Sequence, residues 1–187
     1  MLHKIIKEAT QSLHSNLENL MFVDEIMNGE LTFIQYKNMM LINYMITAKF
    51  EQQLINAIRP ETALKLEIHK RVKIDALCKD LSELNIKPEK VIKQEFKLDP
   101  DFAFGCLYVL EGATLGGNII ANKLKDNKQL KPYELQFNYY KVYGERLMPN
   151  WKQFCEIVNE QPQQNHQKII DGAKFIYAQF TALKLSN

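Results

Sequence analysis

A histidine and a lysine lie on the same flank of the first predicted helix, where they could act on one ligand. Apolar residues recur at helical spacing over residues 2–20, and His14 lies about a quarter-turn from the centre of that apolar stripe. Lys7 lies on the same flank two turns earlier, about 10 Å away along the helix axis. Such a histidine could ligate haem iron while the lysine pairs with a haem carboxylate. A half-exposed polar histidine without a ligand is the other interpretation that this spacing allows.

Three glycines interrupt an otherwise helical segment. Gly112, Gly116 and Gly117 are flanked on both sides by apolar helical sequence. Each glycine inside a helix costs about 0.5–1 kcal/mol relative to alanine, so three cost roughly 2–3 kcal/mol. That is a sizeable part of a domain's stability, and a specific need is expected. The need is either close helix packing or a kink, or a backbone that must lie against a flat ligand where a Cβ atom would collide.

The other histidines and the cysteines favour no second metal site. His3, His69 and His166 have no partner pattern and are expected at the surface. A di-iron carboxylate protein would carry Glu-x-x-His pairs on two helices, but no histidine here has a glutamate three residues before it. The three cysteines are far apart and form no CxxC pair, which predicts neither a zinc site nor a disulfide framework. Reduced thiols of this kind favour the cytoplasm.

Four stretches of the chain resemble haem oxygenases, in the right order. Residues 7–18, KEATQSLHSNLE, resemble the proximal helix of that family. Residues 107–120, LYVLEGATLGGNII, resemble its distal helix, especially in the bacterial, phytochrome-associated branch, and are the most specific match. Residues 137–154 are similar to a later segment of that branch, and residues 171–175 continue the likeness. The resemblance implies an all-α helical bundle with haem sandwiched between a proximal helix and a kinked distal helix.

The resemblance also implies roles for individual residues. His14 would be the proximal iron ligand, and Lys7 would pair with a haem propionate. Gly112 and Gly116 would bring the distal backbone against the reacting face of the haem, and Gly117 would support the bend.

Three further residues have less specific expected roles. Lys152 and Arg146 are additional candidates for propionate partners. Glu18 is a candidate for orienting His14 from one helical turn away, although a solvated surface position is an equal alternative.

The implied reaction is the oxidative cleavage of haem, which is both cofactor and substrate. O2 and external electrons would convert it to biliverdin, CO and ferrous iron, with a ferredoxin, a flavodoxin or a reductase as electron donor. The chain departs from mammalian-type members at Ala113, where those carry an aspartate that holds distal water. Thr114 and Asn118 are the candidates for that task here.

Two alternatives within the same fold stay open at this point. A non-catalytic haem carrier or sensor is compatible with Ala113. A thiaminase-like enzyme would need Cys106 or Cys155 as nucleophile, and neither has an acid–base partner at clear helical spacing.

The elements that must position these residues are helices with short connections. Apolar periodicity and end signals predict helices over about residues 2–20, 32–58, 60–85, 99–125, 145–160 and 162–185. Thr32 and Gln35 have the spacing of a capping box, and Pro60 is a favoured first residue of a helix. Residues 86–97 are expected to form one turn or a short helix, and the aromatic segment 133–143 is ambiguous.

Composition sets the broad class. The chain has 187 residues, 46% hydrophobic and 25% charged, with 7 glycines and 6 prolines. These values favour one all-α domain over residues 1–187 rather than a turn-rich sandwich or barrel. A net charge of +2 is too balanced to indicate a nucleic-acid partner. No membrane span is expected, because the most apolar stretch, residues 102–120, contains Glu111 and four glycines.

Overall fold

The fold is built from helices that lie close to where the sequence places them. In a computed structural model, which describes residues 1–88 and 98–183, the chain forms α-helices and short 3-10 turns, with no strand among the described residues. In chain order the helices are α1 (Leu2–Leu20), α2 (Val23–Asn28), α3 (Phe33–Ala57), α4 (Pro60–Lys65), α5 (Ile74–Glu83), α6 (Pro100–Gly112), α7 (Gly117–Asp126), α8 (Leu147–Asn159) and α9 (His166–Ala182). The all-α prediction is confirmed.

Two helix starts follow the predicted local chemistry. The Thr32 hydroxyl accepts a hydrogen bond from the Gln35 backbone N–H at 3.2 Å, and the Gln35 side chain accepts one from the Thr32 backbone N–H at 2.8 Å. This reciprocal capping box starts α3. Pro60 is the first residue of α4, where its missing N–H costs no helical hydrogen bond.

The prediction of a single helix over residues 60–85 is wrong. Glu67 has a left-handed backbone with φ of 48°, and a 3-10 turn over Ile68–Arg71 separates α4 from α5. The buried Glu51 carboxylate accepts hydrogen bonds from the backbone N–H groups of Lys73 at 2.8 Å and Ile74 at 3.2 Å, and these bonds start α5. A long-range contact therefore divides a segment whose local pattern is continuous.

Other differences lie at shorter elements. The six-residue helix α2, which ends at Gly29 with φ of 74°, was not predicted. The aromatic segment 133–143 is irregular, with 3-10 turns in place of a helix. The expectation for residues 86–97 falls mostly outside the described residues, as does the predicted end of the last helix at residue 185.

The glycine-containing segment forms two helices rather than the continuous one predicted over residues 99–125. Helix α6 ends at Gly112, a turn follows over residues 113–116, and α7 begins at Gly117. By length and apolar composition, Pro100–Asp126 is the one described segment that meets the criteria for a membrane span. However, 61% of its most apolar window is buried inside the protein, as is usual for the core helix of a globular fold.

Helix α9 supports both α6 and α1. The α6–α9 contact is the most extensive in the described structure, and it is close because both helices carry a glycine there. A Cβ atom at Gly105 would collide with the Ile169 backbone, and one at Gly172 would collide with the Phe102 backbone. Since α1 also packs on α9, α1 and the end of α6 lie side by side with a cleft between them.

Candidate functional site

The cleft between α1 and the end of α6 is the candidate functional site. It has a volume of about 650 Å³, which is within the range of about 300–1,000 Å³ that small-molecule sites usually have. One wall comes from α1 and the other from α6 and the turn that follows it, with single residues from α8 and α9. The lining residues are His3, Lys4, Lys7, Thr10, Gln11, His14, Ser15, Leu17, Glu18, Tyr108, Val109, Gly112, Ala113, Leu115, Trp151 and Tyr177.

The α1 wall is polar, with a regular repeat. Lys4, Lys7, Gln11, His14 and Glu18 follow one another at alternating spacings of three and four residues, which places them on one face of the helix. His14 and Lys7, which the sequence predicts as site residues, are therefore brought into the same cleft. Lys4 was missed, although the same spacing could have identified it.

The imidazole of His14 is held from two sides. Its Nδ1 lies 3.3 Å from Oε2 of Glu18, and its ring meets the edge of the Tyr177 ring at a centroid distance of 6.2 Å. Burial raises the pKa of the Tyr177 hydroxyl to about 12, so that this side chain is neutral near pH 7. With Nδ1 engaged, Nε2 is the ring nitrogen that has no hydrogen-bond partner among the described residues.

The opposite wall exposes backbone and apolar side chains. Gly112 and Ala113 line the cleft where α6 ends. A Cβ atom at Gly112 would meet the nearest atom of the Trp151 ring at 3.6 Å, which is ordinary van der Waals contact, so packing within the protein does not require this glycine. The missing side chain instead leaves room in the cleft.

The other two glycines have different surroundings. A Cβ atom at Gly117 would collide with the carbonyl oxygen of Tyr140, so close packing accounts for that residue. A Cβ atom at Gly116 would lie 3.2 Å from the end of the Ile120 side chain on α7. Neither Gly116 nor Gly117 is among the residues that line the cleft.

Several polar candidates lie away from the cleft. Lys152 is 80% exposed and lies 3.9 Å from Glu156, and Arg146 is also exposed; neither lines the cleft. The Thr114 hydroxyl is buried and donates to the Glu111 carbonyl oxygen at 2.7 Å, and Asn118 is an exposed residue of α7 that does not line the cleft. The cleft therefore brings together His14, Lys7, Glu18 and Gly112 from the candidates named above.

The prediction that His3 is a plain surface residue is wrong. Its side chain is half-buried and lines the cleft, with Nδ1 lying 3.1 Å from Oδ1 of Asn159. Its carbonyl oxygen accepts a hydrogen bond from the Tyr108 hydroxyl at 3.2 Å. These partners come from residues 105 and 156 positions away in sequence, so the local pattern around residue 3 gave no signal. His69 is exposed as predicted, and His166 is partly buried, with Nε2 lying 3.0 Å from the Gln161 carbonyl oxygen.

The two ends of the α1 wall differ in charge. Lys4 and Lys7 lie in the first two turns of α1, where the N-terminal end of the helix dipole is also positive. Glu18 lies in the last turn. An elongated or planar ligand with carboxylates on one edge matches this distribution of charge.

A buried ion cluster lies beneath the glycine-containing wall. The Glu111 carboxylate, next to Gly112, receives hydrogen bonds from Arg71 at 2.6 Å, Lys73 at 2.5 Å and the Tyr143 hydroxyl at 2.8 Å. Burial alone would raise the pKa of the Glu111 carboxyl, but Lys73 and Arg71 outweigh it, and the pKa lies below its usual value. Sequence analysis did not find this cluster, because Glu111 lies 40 residues after Arg71 and 38 residues after Lys73.

The site chemistry fits a metal that brings most of its own ligands. Among residues 1–88 and 98–183, no group of three or more His, Cys, Asp or Glu side chains is placed to hold a metal ion. A single imidazole suits a metal held in a macrocycle. The thiaminase-like alternative gains no support from the cleft, because neither Cys106 nor Cys155 is among the residues that line it. Burial also raises the pKa of both thiols.

Comparisons with known proteins concern the family and the fold of the chain. A sequence model of the family described as "Heme oxygenase" matches residues 1–184. Among solved structures, the chain is similar to the haem oxygenase of Neisseria meningitidis determined with NO and CO bound, with a TM-score of 0.70 and 18% identity over 97% of this chain and 88% of that one. At this identity the likeness shows the fold. No curated protein sequence matches the chain significantly.

Proposed function

The chain belongs to the haem oxygenase family, and from this premise we propose that it cleaves haem in the α1–α6 cleft to biliverdin, CO and ferrous iron. O2 and an external electron donor, such as a ferredoxin, a flavodoxin or a reductase, complete the reaction. The observation that carries the proposal is the placement of His14 across the cleft from the side-chain-free backbone at Gly112. We also propose a cytoplasmic location, with which the three unpaired cysteines are compatible. We further propose that the chain belongs to the bacterial, phytochrome-associated branch of the family.

His14 is the proposed iron ligand, bound through Nε2. The contact between Nδ1 and Glu18 supports this choice of nitrogen, because a carboxylate on the second ring nitrogen fixes the tautomer and strengthens the ligand. The edge contact with Tyr177 restricts rotation of the ring. The His14 imidazole is thus positioned before the substrate binds.

Lys7, together with Lys4, is the proposed partner of the haem propionates. Both lysines line the cleft at its positively charged end, whereas Lys152 and Arg146 do not line it. Because Lys4 and Lys7 are exposed, we expect them to orient the macrocycle in its plane more than to hold it tightly.

The wall opposite α1 is the distal wall of the proposed haem site, and it acts mainly through its shape. Bound haem iron supplies the oxygen chemistry. Gly112 and Ala113 would let a bound haem lie close to the backbone at the end of α6, and Val109, Leu115 and Trp151 make this wall apolar. Such a wall would limit both the space and the water next to the reacting edge. Gly116 contributes by ending the turn from which this wall is formed.

A second candidate is a non-catalytic haem carrier or sensor. The observation that favours it is the lack of an ionisable side chain on the cleft-lining part of the turn after α6, where Ala113 and Leu115 lie. Against this candidate, a carrier usually protects its iron with a second protein ligand, and residues 112–117 contain no His, Cys or Met that could supply one.

One experiment separates the two functions. Purified protein with stoichiometric haem should, on addition of ascorbate or a reductase system in air, lose its Soret band, gain a biliverdin band and release CO. The ferric complex should be high-spin or pH-dependent, with water as the sixth ligand. A six-coordinate low-spin complex that survives reductant and air without forming bilin would overturn the enzyme proposal in favour of the carrier.

A further inference from the structure

One buried guanidinium connects the two sides of the distal wall. Arg71, which is 3% exposed, donates from one terminal nitrogen to the Glu111 carboxylate at 2.6 Å and from the other to the Asn150 carbonyl oxygen at 3.2 Å. Glu111 directly precedes Gly112, and Asn150 directly precedes Trp151. The residues that Arg71 holds are therefore the chain neighbours of two residues that line the cleft.

The geometry requires an arginine. The Arg71 Nε also donates to the Leu66 carbonyl oxygen at 2.8 Å, and the second terminal nitrogen donates to Gln153 at 2.9 Å. A guanidinium presents five donors in a fixed planar fork, whereas a lysine has a single donor centre on a mobile stem and cannot reach acceptors on several sides.

Arg71 also supports Trp151 through an aromatic contact. Its guanidinium carbon lies 5.7 Å from the centre of the Phe154 ring. That ring is nearly parallel to the Trp151 indole, with an interplanar angle of 2° and a centroid distance of 6.2 Å. Arg71 thus contacts both the backbone before Trp151 and the ring beside it.

We propose that Arg71 is a positioning residue that sets the separation between Gly112 and Trp151, and with it the shape of the distal side of the cleft. The gap between Gly112 and Trp151 is about the width of one methyl group, since a Cβ atom added at Gly112 would lie 3.6 Å from the indole. A small displacement of either wall therefore changes the space at the substrate edge. For its effect on haem this inference rests on the proposed function, whereas its structural part can be tested without haem.

The chain offers a matched control at the far end of the same helix. Arg59 donates to both oxygens of Asp101 at 2.7 and 2.5 Å, and Asp101 lies in the first turn of α6. Arg59→Lys weakens a second arginine–carboxylate pair on α6 without touching the cleft lining. It reports what loss of such a pair does to the fold alone.

The test compares Arg71→Lys, Glu111→Gln, Gln153→Met and Arg59→Lys. Trp151 is the sole tryptophan of the chain, so the intrinsic fluorescence of the haem-free protein reports its environment directly. The three variants around Arg71 should shift the emission to the red and increase quenching by acrylamide, in a graded order with Gln153→Met the mildest. Arg59→Lys should keep the wild-type spectrum and quenching even where it lowers the melting temperature. The mildest variant keeps the test valid if the others do not fold.

The haem complex supplies the second readout. Arg71→Lys should release haem about tenfold faster, which corresponds to about 1.4 kcal/mol, and should alter the ratio of biliverdin isomers, while Arg59→Lys should match wild type. Wild-type fluorescence in all folded variants around Arg71, or an equal change in Arg59→Lys, would overturn the inference. If the fluorescence changes as expected but wild-type protein does not cleave haem, the positioning role stands and the proposed function fails.

Discussion

The Glu18 carboxylate lies 3.3 Å from Nδ1 of His14, one helical turn away on α1. The two side chains are 46% and 56% exposed, and a polar contact in such a position contributes about 0–1 kcal/mol to folding. Its consequence is therefore orientation rather than stability. With Nδ1 engaged by Glu18, the imidazole can present Nε2 to a ligand in the cleft.

Replacing His14 tests the ligand assignment. We expect His14→Ala to abolish the normal Soret spectrum of the haem complex, because His3, the other imidazole that lines the cleft, lies about three helical turns away on α1. His69→Ala and His166→Ala should be silent in a haem titration followed by absorbance. His3→Ala is the stricter control because His3 also lines the cleft. A wild-type spectrum in His14→Ala, or its loss in His3→Ala alone, would mean that the ligand is misassigned.

Glu18→Gln separates orientation from stability. The free energy of unfolding should change by less than about 1 kcal/mol, because the pair is half-exposed. Turnover should fall by about 10-fold, the lower end of what removal of a partner of a metal-bound histidine costs, and resonance Raman spectra should show a weaker iron–histidine bond. Glu8→Gln, on an exposed residue of the same helix that does not line the cleft, is the control. If both variants gave the wild-type Raman spectrum, Glu18 would be a solvated surface residue without a role in orienting His14.

Charge reversal tests the positively charged end of the cleft. Lys7→Glu and Lys4→Glu should each weaken haem binding modestly, because an exposed pair contributes about 0–1 kcal/mol and reversal adds repulsion. The loss should diminish as salt is added, since exposed charges are screened, and the product should become a mixture of isomers. Lys79→Glu, an exposed residue of α5, should bind haem normally. Unchanged affinity and a single unchanged isomer in Lys7→Glu would remove that residue from the site.

Gly112 and Gly117 should respond in opposite ways to alanine. Gly117→Ala should destabilise the fold, because its Cβ atom would collide with the Tyr140 carbonyl oxygen. Gly112→Ala should leave stability unchanged or raise it by up to about 1 kcal/mol through helix propensity, yet weaken haem binding or turnover by adding a methyl group to the distal wall. Thermal melting of the haem-free proteins, together with a haem titration, measures both effects. A Gly112→Ala variant that loses stability and retains turnover would assign this glycine to packing.

Local sequence signals predicted the parts of the structure that depend on near neighbours. The capping box at Thr32 and the helix start at Pro60 involve residues within three positions of one another, and both are present. The α1 face that carries His14 follows from helical spacing alone. Gly112, Gly116 and Gly117 indicated a special segment, but the spacing did not distinguish a glycine that lines a cleft from one that packs against Tyr140.

Long-range contacts account for what the sequence did not predict. Glu51 starts α5 from 22 residues away, and this contact divides a segment that is continuous in its apolar pattern. Arg71 and Lys73 are residue types that sequence patterns assign to the solvated surface. They are buried because both pair with the Glu111 carboxylate. The distal wall of the site therefore depends on partners that helical periodicity does not relate.

The charge state of Glu111 has a definite consequence for stability against pH. Burial raises the pKa of this carboxyl, but Lys73 and Arg71 outweigh it, so that the folded pKa lies below the usual value. A carboxyl of this kind contributes stability above its unfolded pKa of about 4.3, and that contribution is lost as the pH falls through the folded pKa. Asp80 and Glu51, whose pKa values burial raises, act in the opposite sense. Glu111 contributes to the raised pKa of Glu51 but is not among the causes of the Asp80 shift, so Asp80 is the carboxyl whose contribution should be alike in wild type and in a Glu111 variant.

The difference in stability between wild type and Glu111→Gln isolates this contribution. At pH 7 the variant should unfold more easily by about 3–5 kcal/mol, the usual cost of breaking a buried ion pair from one side, because Arg71 and Lys73 lose their counter-charge. Below pH about 4 the gap should narrow, since the carboxyl of unfolded wild type takes up a proton there, while that of the folded protein does so only at lower pH. Urea denaturation at intervals from pH 7 to pH 3 measures this difference in the free energy of unfolding. The control Glu61→Gln, on an exposed residue of α4, should unfold with the same free energy as wild type at every pH. A gap that stays constant down to pH 3 would mean that protonation of Glu111 does not govern the acid stability of the cluster.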